Sequence, residues 1–265
     1  MRFCVSYSES HKIFLENFFL KTFPFEEGVT LIIERLAQKC ATGGLFSHGW
    51  RDQMIEKEIF INKYLNLFEE GEVMVFSDVD IRFYGNIRND LDKSLGENDI
   101  CFMKDHNSDT TGRCGGFFVL KVSDKMKDFF GEVLSKLKSY RETSVSFGTS
   151  EQSAINDLLA KRKDISWGYL SEKYYTHGLY VKGIRNFSNE NQSGLWWENK
   201  SHEEKSAVHV PDGVLVHHAY WCNGIDNKVH LLNWVNDKIE FRKTRAQKES
   251  LKKLKSEHRT KKKRR

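Results

Sequence analysis

A chain of 265 residues and 31.1 kDa, 39% hydrophobic and 13% aromatic with two prolines, has the make-up of one ordered globular domain, which excludes collagen-like, low-complexity and wholly disordered readings. No apolar run approaches the ~20 residues of a membrane span, and Met1-Arg2-Phe3-Cys4-Val5 enters strand-like sequence with no secretory signal, so a cytoplasmic protein is expected. The net charge of +5 is uneven: from Arg242 onward 13 Lys/Arg face only Glu249 and Glu257, a net of +11, which leaves the preceding 241 residues at −6.

Short apolar runs alternate with helical segments along the chain, the pattern of an α/β fold. Arg2 to Tyr7 reads as a first strand, Ser8-Glu9-Ser10 as helix caps, and His11 to Phe19 as an amphipathic stretch. Val29 to Ile33 is a second strand, and Gly43-Gly44 with Ser47, His48 and Gly49 marks a loop. Between Trp50 and Phe68, the positions Met54, Ile55, Ile59, Ile61, Tyr64, Leu65 and Phe68 mostly recur at three and four, as on one helix face. Glu72 to Phe76 and Ile100 to Met103 are expected as strands. A glycine-rich loop from Gly112 to Gly116 is expected to lead into a strand at Phe117 to Leu120. Ser123 to Tyr140 and Glu151 to Ala160 read as helices. Beyond residue 165 the pattern is less regular and rich in aromatics, including Trp196 and Trp197, until Val214 to His218 suggests a last strand. Arg242 to Arg265 is a lysine-rich helix or a disordered arm, and the boundary of the folded body is placed at 238/239. The five cysteines are scattered without a C-x-x-C pair and read as small buried hydrophobes.

The most informative stretch is Val73-Met74-Val75-Phe76-Ser77-Asp78-Val79-Asp80, an apolar strand ending in two carboxylates one residue apart. In extended chain, residues i and i+2 project to the same side, so both acids face one point. Two like charges held that close need a cation between them, and a hard divalent ion such as Mn²⁺ or Mg²⁺ takes oxygen ligands. Alone, a D-x-D also describes an ordinary turn at a strand end. Here the chain resembles the nucleotide-diphospho-sugar transferases, glycosyltransferases of the GT-A fold, whose apolar strand ends in a D-x-D motif as Val75 to Asp80 does. By that resemblance Asp78 touches the ribose or donor sugar, and Asp80 chelates a metal bound to the diphosphate.

Three further stretches carry the resemblance. His218-Ala219-Tyr220-Trp221-Cys222-Asn223-Gly224-Ile225-Asp226-Asn227-Lys228 is similar to the family's late H-x-x-W-x-x-G-x-x-x-K segment. It implies that His218 completes the metal shell while Gly224 and Lys228 approach the diphosphate. His217, next along a strand, would point the other way. Gly115-Gly116-Phe117-Phe118 resembles a family strand whose preceding loop lines the sugar pocket, and Arg113 beside it reads as a phosphate or acceptor contact or as a solvated loop residue. Thr149-Ser150-Glu151-Gln152 resembles the family's acceptor-facing helix start. In an inverting enzyme Glu151 would deprotonate the acceptor hydroxyl, and in a retaining one Gln152 or Glu151 would sit opposite the leaving group.

The implied architecture is a Rossmann-like, mostly parallel central sheet flanked by helices, one domain over residues 1–238 with a basic tail over 239–265. Tyr7 and Ser8 are expected at the nucleobase and Arg51 near the phosphates or donor sugar. The implied activity is metal-dependent transfer of a sugar, from a UDP-sugar in the favoured case, to a glycan or other hydroxyl acceptor. A metal-dependent phosphoesterase or nuclease is the competing reading, since Asp pairs with a His also serve those reactions. A nucleic-acid binder spreads its charge over a folded face, so no stable nucleic-acid complex is expected. The tail is instead expected to touch anionic membrane headgroups.

Overall fold

The computed structural model describes residues 1–44, 47–105, 112–140, 149–176, 209–220, 222 and 224–263, with those from 251 described by backbone alone. Trp196, Trp197 and Trp221 lie outside the described residues.

A six-stranded sheet takes the order β2-β1-β3-β6-β5-β7. Its strands are β1 (Arg2–Tyr7), β2 (Thr30–Arg35), β3 (Val73–Ser77), β5 (Ile100–Lys104), β6 (Arg113–Lys121) and β7 (Trp167–Tyr169). β1 pairs in parallel with β2 and β3, and β5 with β7, whereas β6 runs antiparallel between β3 and β5. A second sheet of three short strands, β4 (Ile81–Phe83), β9 (Val216–His218) and β8 (Tyr174–Tyr175), is ordered β4-β9-β8.

Strand alternation distributes the core. On β1, β3 and β6, Phe3, Val5, Val75 and Phe117 face one side of the sheet, while Cys4, Met74, Phe76 and Phe118 face the other. Both faces are covered, which is why these strands read as continuous apolar runs. The first side is closed by the short helices α1 (Lys12–Phe14) and α2 (Leu20–Thr22), the π-turn Leu15–Phe19 between them, and α4 (Arg88–Leu95). The second is closed by α3 (Trp50–Leu67), α5 (Asp124–Ser139) and α6 (Glu151–Leu159). Ser123 and Ser150 cap α5 and α6, their hydroxyls accepting from the amides of Met126 and Ser153.

Three expectations change. The segment Gly112 to Gly116 is not a loop: β6 begins at Arg113, because β3 and β5 offer it ladders on both sides. On α3, Ile59 is 43% exposed, and the buried face is Trp50, Lys57, Glu58, Phe60, Ile61 and Leu65. The basic tail takes the helical one of its two readings, but its helix begins well before Arg242. One helix, α7 (Ile225–Lys263), passes through position 238/239. Its first turns bury Leu231, Leu232, Val235 and Ile239, and the Arg242 guanidinium donates to the Val210 carbonyl and pairs with Asp212 at 3.2 Å. A docked end supplies the nucleus that a self-repelling lysine-rich sequence lacks. Residues 243–250 are exposed.

Candidate functional site

A pocket opens where β1 and β3 end, walled by α3, the start of α6 and the segment after β9. Ten of the twelve residues expected at a site line it: Tyr7 and Ser8 from the end of β1; Asp78 and Asp80 beyond β3; Gly115 and Gly116 on β6; Glu151 and Gln152 on α6; and His218 and Lys228.

Asp78 and Asp80 follow β3 through a bend and meet His218 from β9. Asp80 Oδ1 is 3.3 Å and Asp78 Oδ2 3.8 Å from His218 Nε2, and one ligand atom from each of the three lies within 4.8 Å of the others. Among the described residues this is the grouping that can hold a metal ion. Its two carboxylate oxygens and one imidazole suit Mn²⁺ or Mg²⁺ better than a thiophilic ion. The Lys228 ammonium, from the first turn of α7, pairs with Asp80 Oδ2. Asp80 is 3% exposed. Burial alone would raise its carboxyl, but Lys228 and His218 hold it well below the usual range.

The glycines of β6 make room for protein side chains. A Cβ on Gly116 would fall 2.5 Å from Asp78 Oδ2 and from His218 Cε1, and one on Gly115 would fall 3.1 Å from Glu151 Oε1. The Asp78 amide donates to the Gly116 carbonyl at 2.7 Å, fixing the bend against the strand.

At the α6 end lies a second charged group, whose central lysine the sequence reading did not single out. Lys57 Nζ sits 2.9 Å from Asp78 Oδ1 and 2.7 Å from Glu151 Oε2, with its side chain 8% exposed. Burial would lower the Lys57 ammonium, yet the two carboxylates hold it above its usual value. Burial raises the Glu151 carboxyl, and Lys57 opposes that rise. Gln152 is fixed on both ends of its amide, its Nε2 donating to Asp105 at 2.6 Å and its Oε1 accepting from the Tyr220 hydroxyl at 3.2 Å. His11 also lines the pocket. Its imidazole is lowered first by burial and then by the Lys228 charge.

Arg51 and Gly224 do not line the pocket. The Arg51 guanidinium donates to the Tyr140 carbonyl at 2.9 Å, on the α5 side of α3, so the cation that α3 brings to the site is Lys57. Gly224 ends the loop before α7 with φ +81°, accepting from the Lys228 amide, and acts through the helix start it allows. Arg113 is neither solvated nor in the pocket: it is 5% exposed, donates to Asn156 at 2.9 Å and stacks 3.8 Å over Trp167. His217 points away, as strand alternation requires, against the Tyr175 ring at 5.4 Å. The signal for Lys57 and Glu58 was present in sequence: both fall inside an apolar helical stripe where charged side chains stay only with partners.

Residues 61–232 match the family model of the nucleotide-diphospho-sugar transferases. No curated protein sequence is significantly similar. Among solved structures, the apo-form glycosyltransferase GlyE of Streptococcus pneumoniae TIGR4 aligns at 13% identity and TM-score 0.50, over 82% of this chain and 53% of that one. The chain thus spans about half of that relative's length. Two others cover 82% of this chain. The galactosyltransferase LgtC, complexed with donor and acceptor sugar analogs, has 10% identity, TM-score 0.46 and 86% of its own length covered. Mouse xyloside xylosyltransferase 1 has 8% identity, TM-score 0.48 and 96% covered. Among the described residues no helix is long and apolar enough to cross a membrane.

Proposed function

Because the chain belongs to the nucleotide-diphospho-sugar transferase family, we propose that it moves a sugar from a nucleotide diphosphate, UDP-linked in the favoured case, to a hydroxyl of a glycan or glycoconjugate. The observation that carries this reading is the convergence of Asp78, Asp80 and His218 at the sheet's carboxyl edge, with Lys228 beside them. That edge is where open α/β sheets bind ligands.

Asp78, Asp80 and His218 would hold a divalent ion, Mn²⁺ by preference, and such an ion would supply positive charge against a departing diphosphate. Lys228 adds a positive charge next to the same place and, by releasing Asp80, can turn to a phosphate oxygen. Tyr7 and Ser8 lie at the nucleoside end. Lys57, between Asp78 and Glu151, stands between donor and acceptor sides and fixes the separation of the two carboxylates. Glu151 is the carboxylate for the acceptor hydroxyl, and Gln152, immobilised by Asp105 and Tyr220, shapes the same wall. The exposed end of α7 makes peripheral contact with anionic headgroups through charge alone, worth ~1 kcal/mol per basic residue.

The test is release of nucleoside diphosphate from a panel of UDP- and GDP-sugars with Mn²⁺, repeated in excess chelator. Donor turnover that stops on chelation is expected. Full activity in chelator overturns the metal role.

A further inference from the structure

Glu58 lies on α3 directly after Lys57, is fully buried, and faces away from solvent into the space between α3 and α6. No donor among the described residues reaches either of its carboxyl oxygens, nor Oε1 of Glu151. The two carboxyl groups nonetheless lie in hydrogen-bonding contact with each other. A carboxylate only accepts hydrogen bonds, so two carboxyls can join in that way only when one of them carries a proton. Charge balance agrees. Lys57 already faces two carboxylates, Asp78 and Glu151, and a third buried negative charge would have nothing to offset it.

The surroundings decide where the proton sits. Glu151 opens α6, where helix amides favour negative charge, and its Oε2 receives the Lys57 ammonium at 2.7 Å. Glu58 stands in the interior of a helix with no such help. The groups that face it are Lys57 from its own helix and Glu151 from α6, and the side chains that α5 buries are Met126, Phe129, Phe130, Val133 and Leu137, all apolar. We propose that Glu58 and Glu151 share one proton, held on Glu58, and that Glu58 is thereby a positioning residue for Glu151. The Glu58 hydroxyl donates to Glu151 Oε1 while Lys57 donates to Oε2, and a Cβ on Gly115 would lie only 3.1 Å from Oε1. Glu151 is thus clamped from both oxygens, with strand backbone beneath. Burial first, and the Glu151 charge second, push the Glu58 carboxyl well above the usual range, the direction that keeps the clamp closed. When alkali removes the proton, two carboxylates confront each other and Glu151 swings from its place.

The positioning role rests on Glu151 serving the acceptor; the shared proton does not. Infrared spectra of the full chain at neutral pH, without metal or donor, should show the carbonyl stretch of a protonated carboxylic acid. The band should vanish in Glu58→Gln and persist, shifted, in Glu151→Gln. Should Glu58→Gln fail to fold, Glu58→Met removes the acid while filling its volume. Turnover of the wild type should fall with rising pH along the same midpoint as the band. Glu58→Gln, whose amide still donates but cannot ionise, should lose that alkaline fall, whereas Glu58→Leu should turn over about 10-fold or more slower than Glu58→Gln. A wild type without the band, or a band that survives Glu58→Gln, overturns the shared proton. An unchanged alkaline fall in Glu58→Gln overturns the positioning role. Normal turnover in Glu151→Gln with the band behaving as expected overturns only the acceptor role of Glu151.

Discussion

The two ends of the pocket solve the same electrostatic problem differently. At the β9 end, Asp78 and Asp80 face His218 and Lys228, groups that a bound ion or phosphate can displace and re-pair. At the α6 end, Glu151 pairs with Lys57 in the pocket wall and is backed by Glu58, which lies outside the lining where a ligand has no access to it. One end is built to change its charge on binding, the other to keep its charge fixed. Under the proposed function, that difference suits the first end to ion and diphosphate and the second to a single oriented carboxylate.

The sharpest way to break this contrast is Asp80→Ala. Transfer should fall by about 10³-fold, the scale of losing one preorganised electrostatic contact at a developing charge, and added Mn²⁺ should not restore diphosphate release. Glu151→Gln should lower turnover by ~10²–10⁴-fold while leaving donor affinity, read by calorimetry with Mn²⁺, close to wild type. Gly116→Ala pushes a methyl into the contact between Asp78 and His218. Its Mn²⁺ affinity should drop by about 10–100-fold, with the α6 end intact.

A smaller effect of opposite sign tests the fixed end. The folded protein keeps a proton on Glu58 that the unfolded chain releases above its ordinary value of about 4.3. Stability of the wild type therefore declines as pH rises from there toward the raised folded value. Glu58→Leu removes that loss. Its melting temperature should match the wild type near pH ~4 and exceed it at neutral pH, with a stability margin that widens at about 1.4 kcal/mol per pH unit above ~4.3 for as long as Glu58 keeps its proton. A deficit that grows with pH would show that Glu58 is ionised in the fold. The smallest expected effect on transfer is none. Ending the chain after Arg245 should leave turnover on a soluble acceptor unchanged and abolish salt-sensitive binding to anionic vesicles. A full-length protein that ignores such vesicles at low salt would refute the headgroup contact.

The two ends also differed in how far the sequence revealed them. Asp78 and Asp80 announce themselves because they close an apolar strand, where spacing fixes direction, whereas His218 and Lys228 are legible through the resemblance of their segment to the family's. The α6 end is assembled from residues nearly a hundred positions apart. Glu151 was legible as a helix start, but its partners lie mid-helix on α3, where the apolar rhythm was followed through Ile59 and the buried face runs through Lys57 and Glu58 instead. Arg51 was expected in the pocket from the resemblance alone, and it is Lys57, on the buried face of the same helix, that stands there. The sheet's long strands were plain from their apolar runs. β4, β7 and β8 were not, because two or three residues carry no period, and α4 buries only Leu91 and Leu95.

Lys228 and the basic segment belong to one uninterrupted α-helix. At ~1.5 Å per residue, the stretch from Lys228 to Lys263 measures roughly 50 Å. It works as a measuring rod: whatever grips the far end holds the pocket at a set stand-off. The near end carries the lysine that pairs with Asp80.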